Sequence, residues 1–265
     1  MAEETHIEWA DATVNFWHGC QKVSKGCKFC YMYRDKARYG LDGAQVQLAK
    51  KETFYKALKW VEPKKIFTCS WSDFFIKAAD QWRAEAWKVI KDTPQHTWII
   101  LTKRPERIPQ CLPADWGKGY ENVWLGVSVE DQKTADFRIM KLFEVPTKVR
   151  FLSVEPLLAK VDLKKYLSVQ FEGEKKVYYP IHWVIVGGES GNDTGDYIFR
   201  PCKTDWIQTV VKQCKEKDVP VFVKQLGVTI AKQIGLKDRV GSKFDEPKFP
   251  PYLKERSFPK ILEIE

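Results

Sequence analysis

The sequence predicts an α/β fold, a full or partial (β/α) barrel of parallel strands forming a single domain over residues 1–265. Three observations carry this reading. Short apolar runs rich in β-branched and aromatic residues recur along the chain, as buried parallel strands require. Helical apolar patterns fill the intervals between them. No dinucleotide-binding fingerprint marks a doubly wound sheet, and about 250 residues is an ordinary length for a barrel.

Taken in order, the strand candidates are Thr13–Cys20, Lys65–Asp73, Thr97–Arg104, Asn122–Glu130, Val149–Pro156, His182–Gly191 and Val219–Gly227. The first helix candidate, Asp80–Asp92, places Trp82, Ala86, Val89 and Ile90 at helical spacing. Asp131–Glu144 does the same with Ala135, Ile139, Leu142 and Phe143, and Lys203–Lys217 with Trp206, Val210, Val211 and Cys214. Residues 164–180 read as an inserted β-hairpin or loop. The Pro- and Lys-rich tail, about residues 235–265, reads as an extended wrap.

Composition is that of a globular protein, 44% hydrophobic and 30% charged, with a net charge of +9. That charge favours anionic partners, nucleic acid foremost, although a generally basic surface has the same signature. The N-terminus, "MAEETHIEWADATVNFW", has no apolar signal core, and no apolar run approaches the ~18 residues of a membrane span. A cytoplasmic protein with no membrane partner is expected. Trp60, Trp82 and Trp206 are expected in the core, and His6, His96 and His182 in structural roles.

In a parallel barrel the ligand site lies at the carboxyl ends of the strands. Here those ends read Ser70-Trp71-Ser72-Asp73, Thr102-Lys103-Arg104, Ser128-Val129-Glu130, Ser153-Val154-Glu155, Gly187-Gly188-Glu189-Ser190 and Lys224-Gln225. Any one Ser or Glu after a strand could simply cap the next helix, as Glu130 before Asp131 would. Six polar ends in series read as a polar ligand site. Lys103 and Arg104 could hold a phosphate or carboxylate, or form a salt-bridged strand end, and the same applies to Lys224 and Arg200. The glycines of "VGGESG" fit either a close approach to a ligand or a tight turn.

Cys20, Cys27 and Cys30 follow the first strand candidate with the spacing C-x6-C-x2-C. Thiolates are soft ligands, so zinc and an iron–sulfur cluster are the candidates. A closed zinc site needs a fourth ligand, for which His18 and Cys69 are available. A [4Fe–4S] cluster on three thiolates instead leaves one iron open, which suits chemistry better than electron relay. Lys22, Lys25 and Lys28 would offset cluster charge. Cys111, Cys202 and Cys214 are dispersed, and Cys214 is a core candidate.

With "CKFC" closing the loop, the arrangement resembles the radical S-adenosylmethionine (SAM) superfamily. More closely, residues 9–259 resemble a phage- and prokaryote-associated family of radical-SAM-like proteins of unknown function, through "HGCQKVSKGCKFCYMYRDKARYG", "IFTCSWSDFF", "LTKRP", "SVEPLL" and "VGGESG" in series. The resemblance implies a [4Fe–4S] cluster on Cys20, Cys27 and Cys30, SAM chelated at the open iron, and an external one-electron reductant. It puts Ser72 and Asp73 at the methionine amino group and Ser128 and Glu130 at the ribose. Ser153 and Glu155 follow on the next strand, and Gly187, Gly188, Glu189 and Ser190 pass near adenine or substrate. Lys103, Arg104 and Glu155 are the candidate catalytic residues. Two departures stand out: the superfamily's first cysteine gap is three residues, not six, and "SWSDFF" replaces its Gly-Gly-Glu on the second strand.

The substrate class implied is nucleic acid or nucleotide, since aromatics interleave with cations in "YMYRDKARYG" and "KFPPYLKERSFP". A small anionic metabolite or peptide is the alternative within the same chemistry. A metal-binding interaction protein without turnover is the alternative outside it.

Overall fold

The computed structural model describes residues 5, 7–168, 170–172, 175–177, 181–191 and 199–259. His6 lies outside them. Two compact units make up the chain: Met1–Ser128 with Met140–Val149, and Val129–Ile139 with Arg150–Glu265.

The first unit holds β1 (Ala12–Val14), β2 (Trp17–His18), α1 (Tyr31–Ala37), β3 (Gln47–Leu48), α2 (Lys51–Phe54), β4 (Lys65–Thr68), α3 (Asp80–Lys91), β5 (Thr97–Thr102), α4 (Ile108–Cys111) and β6 (Val123–Ser128). Its parallel strands run in the order β1-β4-β5-β6, with Phe67 beside Ile99 and Ile99 beside Trp124. All six residues of β6 are buried, as its apolar sequence requires of a strand covered on both faces. The first strand candidate divides. Its sheet portion ends at Val14, and Trp17–His18 turns away to pair antiparallel with Gln47–Leu48. Asn15 sits at the break, where its side-chain oxygen accepts from the Trp71 amide at 2.9 Å.

The division between the units falls within α5 (Gln132–Phe143), after Ile139, and the second unit then holds β7 (Val149–Val154) from Arg150 on, α6 (Lys164–Leu167), β8 (Gln170–Glu172), β9 (Lys175–Val177), β10 (Trp183–Gly187), α7 (Thr204–Glu216), β11 (Val221–Gln225) and α8 (Val228–Ile234). Strands β7, β10 and β11 are parallel and adjacent in that order. Within residues 164–180, β8 and β9 form an antiparallel hairpin. The tail runs beside β11: the Val223 amide donates to the Glu255 carbonyl and the Ser257 amide to the Val221 carbonyl. That pairing covers a strand edge otherwise open to association. Among the described residues the fold is thus α/β with seven parallel strands, four in one unit and three in the other.

The helix faces follow expectation except at two tryptophans, Trp82 and Trp206. In α3 the buried side chains are Arg83, Ala86, Trp87, Val89 and Ile90, so Trp87 is core and Trp82 is half-buried. Trp206 and Trp60 are also half-buried rather than core. A lysine lies over each ring, Lys203 on Trp206 and Lys56 on Trp60. Ala135, Ile139, Leu142, Phe143 and Cys214 are buried as predicted. His96 is buried, with Nε2 against the Ala57 carbonyl, and His182 Nδ1 accepts from the Arg150 amide at 3.0 Å. Among the described residues no helix is long and apolar enough to cross a membrane.

Gly188 illustrates how tightly the second unit is built. A Cβ there would lie 2.3 Å from the Leu226 carbonyl oxygen and 3.0 Å from the Gly227 Cα, both backbone atoms. Gly188→Ala should therefore cost about 1–3 kcal/mol in urea unfolding, whereas an unchanged midpoint would show that the β11 end yields freely.

Candidate metal centre

The cysteine loop is tethered before it begins. Phe16 and Trp17 are fully buried, Phe16 stacked on Trp98 with centroids 5.5 Å apart and the Trp17 indole N–H donating to the Asp73 carbonyl at 3.1 Å. Gly19 then takes φ +91°, and a Cβ there would lie 2.0 Å from the Gln45 carbonyl oxygen. The Gly19 amide donates to the Trp71 carbonyl and the Cys20 amide to the Gly43 carbonyl. Cys27 closes a short helical turn, its thiol 3.7 Å from the Ser24 hydroxyl, and Cys30 immediately precedes α1. From α1 the Tyr33 hydroxyl donates to the Cys20 carbonyl and the Tyr31 hydroxyl to the Ser70 carbonyl.

All three cysteines are half-buried. Burial is the main influence on Cys20, followed by the Asp73 charge. Together they push its thiol up to about 11, while Arg104 pulls the other way. Cys30 is raised by burial and eased downward by backbone amides and Lys103. The charge of Cys27 acts on both of its neighbours, and all three thiols act on Tyr33, which burial first raises to about 12. Burial thus raises both Cys20 and Cys30.

The strand ends of the first unit meet this loop. Ser72 donates to the Gly19 carbonyl at 2.6 Å. Asp73, 5% exposed, accepts from the Thr102 hydroxyl at 2.7 Å, the Phe75 amide at 2.9 Å and the Lys103 amide at 3.0 Å. It also pairs with Arg104 Nη1 at 3.1 Å. Arg104 in turn reaches Cys20 Sγ at 3.7 Å and donates to the Gln21 carbonyl at 2.6 Å. Lys103 Nζ donates to Ser128 Oγ at 3.1 Å. Cys20, Ser72, Asp73 and Arg104 thus form one connected set, and the Lys103–Ser128 bond is tied to it through the Asp73–Lys103 amide contact.

In the second unit the expected residues fall into separate environments. Glu130 is 1% exposed and pairs with Arg138 at 3.2 Å, while Asp131, not Glu130, caps α5 by accepting from the Thr134 amide. Glu189 is gripped by the amide, Nε and Nη2 of Arg200. Ser190 and Gly191 offer their carbonyls to Arg239. Glu155 stands apart. It lies 3.3 Å from Lys224 Nζ, accepts weakly from Ser153 at 3.4 Å, and occupies space that a Cβ on Gly187 would take. The Gly188 carbonyl accepts from Gln225 at 2.7 Å.

Sequence reasoning missed Asn15, Tyr33 and Arg138. Tyr33 belongs to an aromatic stretch read there as base-stacking, and Arg138 was one more charge on a helix. Of the two candidate fourth ligands, Cys69 is buried, with its sulfur accepting from the Thr68 hydroxyl, and burial raises it to about 12. His18 Nδ1 is buried without a hydrogen-bond partner among the described residues. Also among the described residues, no group of three His, Cys, Asp or Glu side chains is gathered closely enough to hold a metal as it stands. The donor set nevertheless fits a soft metal in its chemistry: three half-buried thiols lie on one loop, with the Arg104 guanidinium at Cys20.

Parallel β/α units whose strand ends meet a three-cysteine loop define an α/β protein with a thiol-based candidate metal centre. The chain belongs to the family described as a protein of unknown function (DUF5131), which matches residues 4–251. No curated protein and no solved structure matches the chain.

Two outcomes are expected of metal-free protein. With Cys20 near 11 instead of 9.0, its alkylation at pH 8 should be roughly tenfold slower than that of an unperturbed thiol, since the smaller thiolate fraction outweighs the greater nucleophilicity of a more basic sulfur. Peptide mass spectrometry after iodoacetamide treatment reads this, and reaction at the rate of the urea-unfolded chain would contradict it. Cys69, Cys202 and Cys214 are each raised to about 12 by burial. Their folded forms hold protons more tightly than the unfolded chain, so the stability they contribute is complete below pH 9 and lost progressively towards pH 12. A melting temperature flat across that window would contradict it.

Proposed function

We propose that this chain is an iron–sulfur enzyme of the radical SAM type, acting on a nucleic acid or nucleotide substrate in the cytoplasm. The observation that carries the proposal is the placement of Cys20, Cys27 and Cys30 on one loop, tethered at Gly19 by Ser72 and at Cys20 by Arg104 from the segments that follow β4 and β5. The succession of parallel strands and helices supports a radical-SAM-like partial (β/α) barrel as its fold class. Three thiolates would hold a [4Fe–4S] cluster and leave its fourth position to the amino and carboxylate groups of SAM. Such a cluster, if bound and reduced by an external one-electron donor, would supply one electron for the reductive cleavage of SAM.

The chain's own residues do the holding. Ser72, Tyr31 and Tyr33 fix the loop through its carbonyls and that of Ser70. Lys103 and Ser128 present an ammonium and a hydroxyl for an anionic or hydroxyl-bearing ligand group. Asp73 is saturated by its four donors, so its part is to orient rather than to bind the methionine amino group. Glu130 and Glu189, each committed to an arginine, shape the second unit. Glu155 with Lys224 is the pair there that retains capacity for substrate, at 12% and 30% side-chain exposure. Lys22, Lys25, Lys28 and Arg38 are exposed, as are Tyr31 and Tyr39, and Lys22 lies over the Tyr33 ring and Lys28 over the Phe29 ring, a mixture of cations and aromatics that suits phosphates and stacked bases.

Protein purified without oxygen and reconstituted with iron and sulfide should hold about four irons per chain, give an EPR signal perturbed by SAM, and release 5′-deoxyadenosine. Cys27→Ala should lose all three properties. A single zinc, or a cluster indifferent to SAM, would overturn the radical mechanism in favour of a metal-binding protein without turnover. Binding of single-stranded oligonucleotide should weaken steeply between 50 and 200 mM salt, and salt-independent binding would turn the search to a small anionic substrate or a peptide.

A further inference from the structure

We infer that Arg104, fixed by Asp73, is a positioning residue that sets the reduction potential of the metal group on Cys20. The inference rests on the reading of the cysteine loop as a cluster site and assigns a function to a residue that otherwise resembles a phosphate or carboxylate ligand. Arg104 is 6% exposed, and its guanidinium is committed to three partners. These are Asp73 Oδ2 at 3.1 Å, the Gln21 carbonyl at 2.6 Å and Cys20 Sγ at 3.7 Å. A cation so far from water needs a fixed anion, and Asp73 is held in turn by Thr102 and by the amides of Phe75 and Lys103. Arg104 therefore cannot turn outward to a substrate without leaving Asp73 buried and unpaired. What it does offer is an N–H donor and a positive charge at one cysteine sulfur, beside a carbonyl of the same loop.

Hydrogen bonds to ligating sulfurs and local net charge are among the determinants of iron–sulfur potentials. An added electron makes those sulfurs richer in negative charge, so a donor at Cys20 stabilises the reduced cluster more than the oxidised one. Asp73 opposes the same electron through its own charge. The two residues thus act on the potential with opposite signs, although they belong to one ion pair. A merely structural pair would not behave in this way, because losing either member would disturb the loop alike.

The test is an EPR-monitored redox titration of the reconstituted protein with dithionite as one-electron donor. At the wild-type midpoint, Arg104→Gln should raise the ratio of oxidised to reduced cluster about tenfold, a shift of about 59 mV to more negative potential for a one-electron couple. Arg104→Lys, which keeps the charge but not the fork, should fall between the two. Asp73→Asn should shift the midpoint the other way. If Arg104→Gln fails to retain iron, the Lys and Asn variants decide by the sign of their shifts. Four irons in every variant at the wild-type midpoint would overturn this inference and leave the cluster reading intact. A wild-type protein that holds no iron–sulfur cluster would overturn both.

Discussion

An aspartate and an arginine that have lost almost all of their water, Asp73 and Arg104, hold three segments of the first unit at one point. Asp73 belongs to the loop after β4, Arg104 to the end of β5, and their shared reach is the start of the cysteine loop. Buried ion pairs are poor sources of net stability, because desolvation consumes most of the attraction. Their value lies in what they forbid. With either partner displaced, the other is left charged and buried, so only arrangements that keep both in place are accessible. The accompanying bonds from Thr102, Phe75 and Lys103 tighten that restriction, and the position of Cys20 follows from it.

The loop is also fixed from its other side by packing. Phe16 and Trp17 sit in an aromatic cluster with Phe54, Phe74 and Trp98, with T-shaped, tilted and stacked contacts at 4.8–6.3 Å. Immediately after them Gly19 adopts a conformation closed to other residues at low cost and lets Gln45 approach. Gly43 leaves room for the Tyr33 ring, whose hydroxyl returns to the Cys20 carbonyl. Rigid anchoring thus surrounds a segment whose three thiols stay half-buried.

Much of the fold was legible because it depends on local pattern. Runs such as "TWIILT" and "NVWLGVS" are too apolar and β-branched to be anything but buried strands, and the structure places β5 and β6 there. The three cysteines and the polar strand ends were legible for the same reason. What escaped was pairing at a distance. Nothing near Glu130 reveals that its charge is cancelled by Arg138 one helical face away, or that Glu189 will be enclosed by Arg200. The departure of Trp17–His18 from the sheet was equally hidden, since the run reads as continuous apolar sequence and the break depends on Asn15 meeting residues 70 and 71. Trp82 and Trp87 both satisfy a helical pattern. Only the orientation of α3 in the folded unit decides between them.

The partners of the carboxylates sort the strand ends in a way their sequence could not. Asp73, Glu130 and Glu189 each face an arginine, whose charge persists at any physiological pH and whose planar fork fills carboxylate lone pairs in fixed directions. Such pairs are poor exchangers of ligands. Glu155 instead faces Lys224, a rotatable point charge on a flexible stem, at 3.3–3.5 Å and with greater exposure. A lysine can leave a carboxylate for an incoming anion at modest cost, and the carboxylate can then accept from a hydroxyl or amine of the same ligand. Lys103 on Ser128 has the same character in the first unit. The arginine pairs are therefore the framework, and the two lysine contacts are the ones that can rearrange at lower cost.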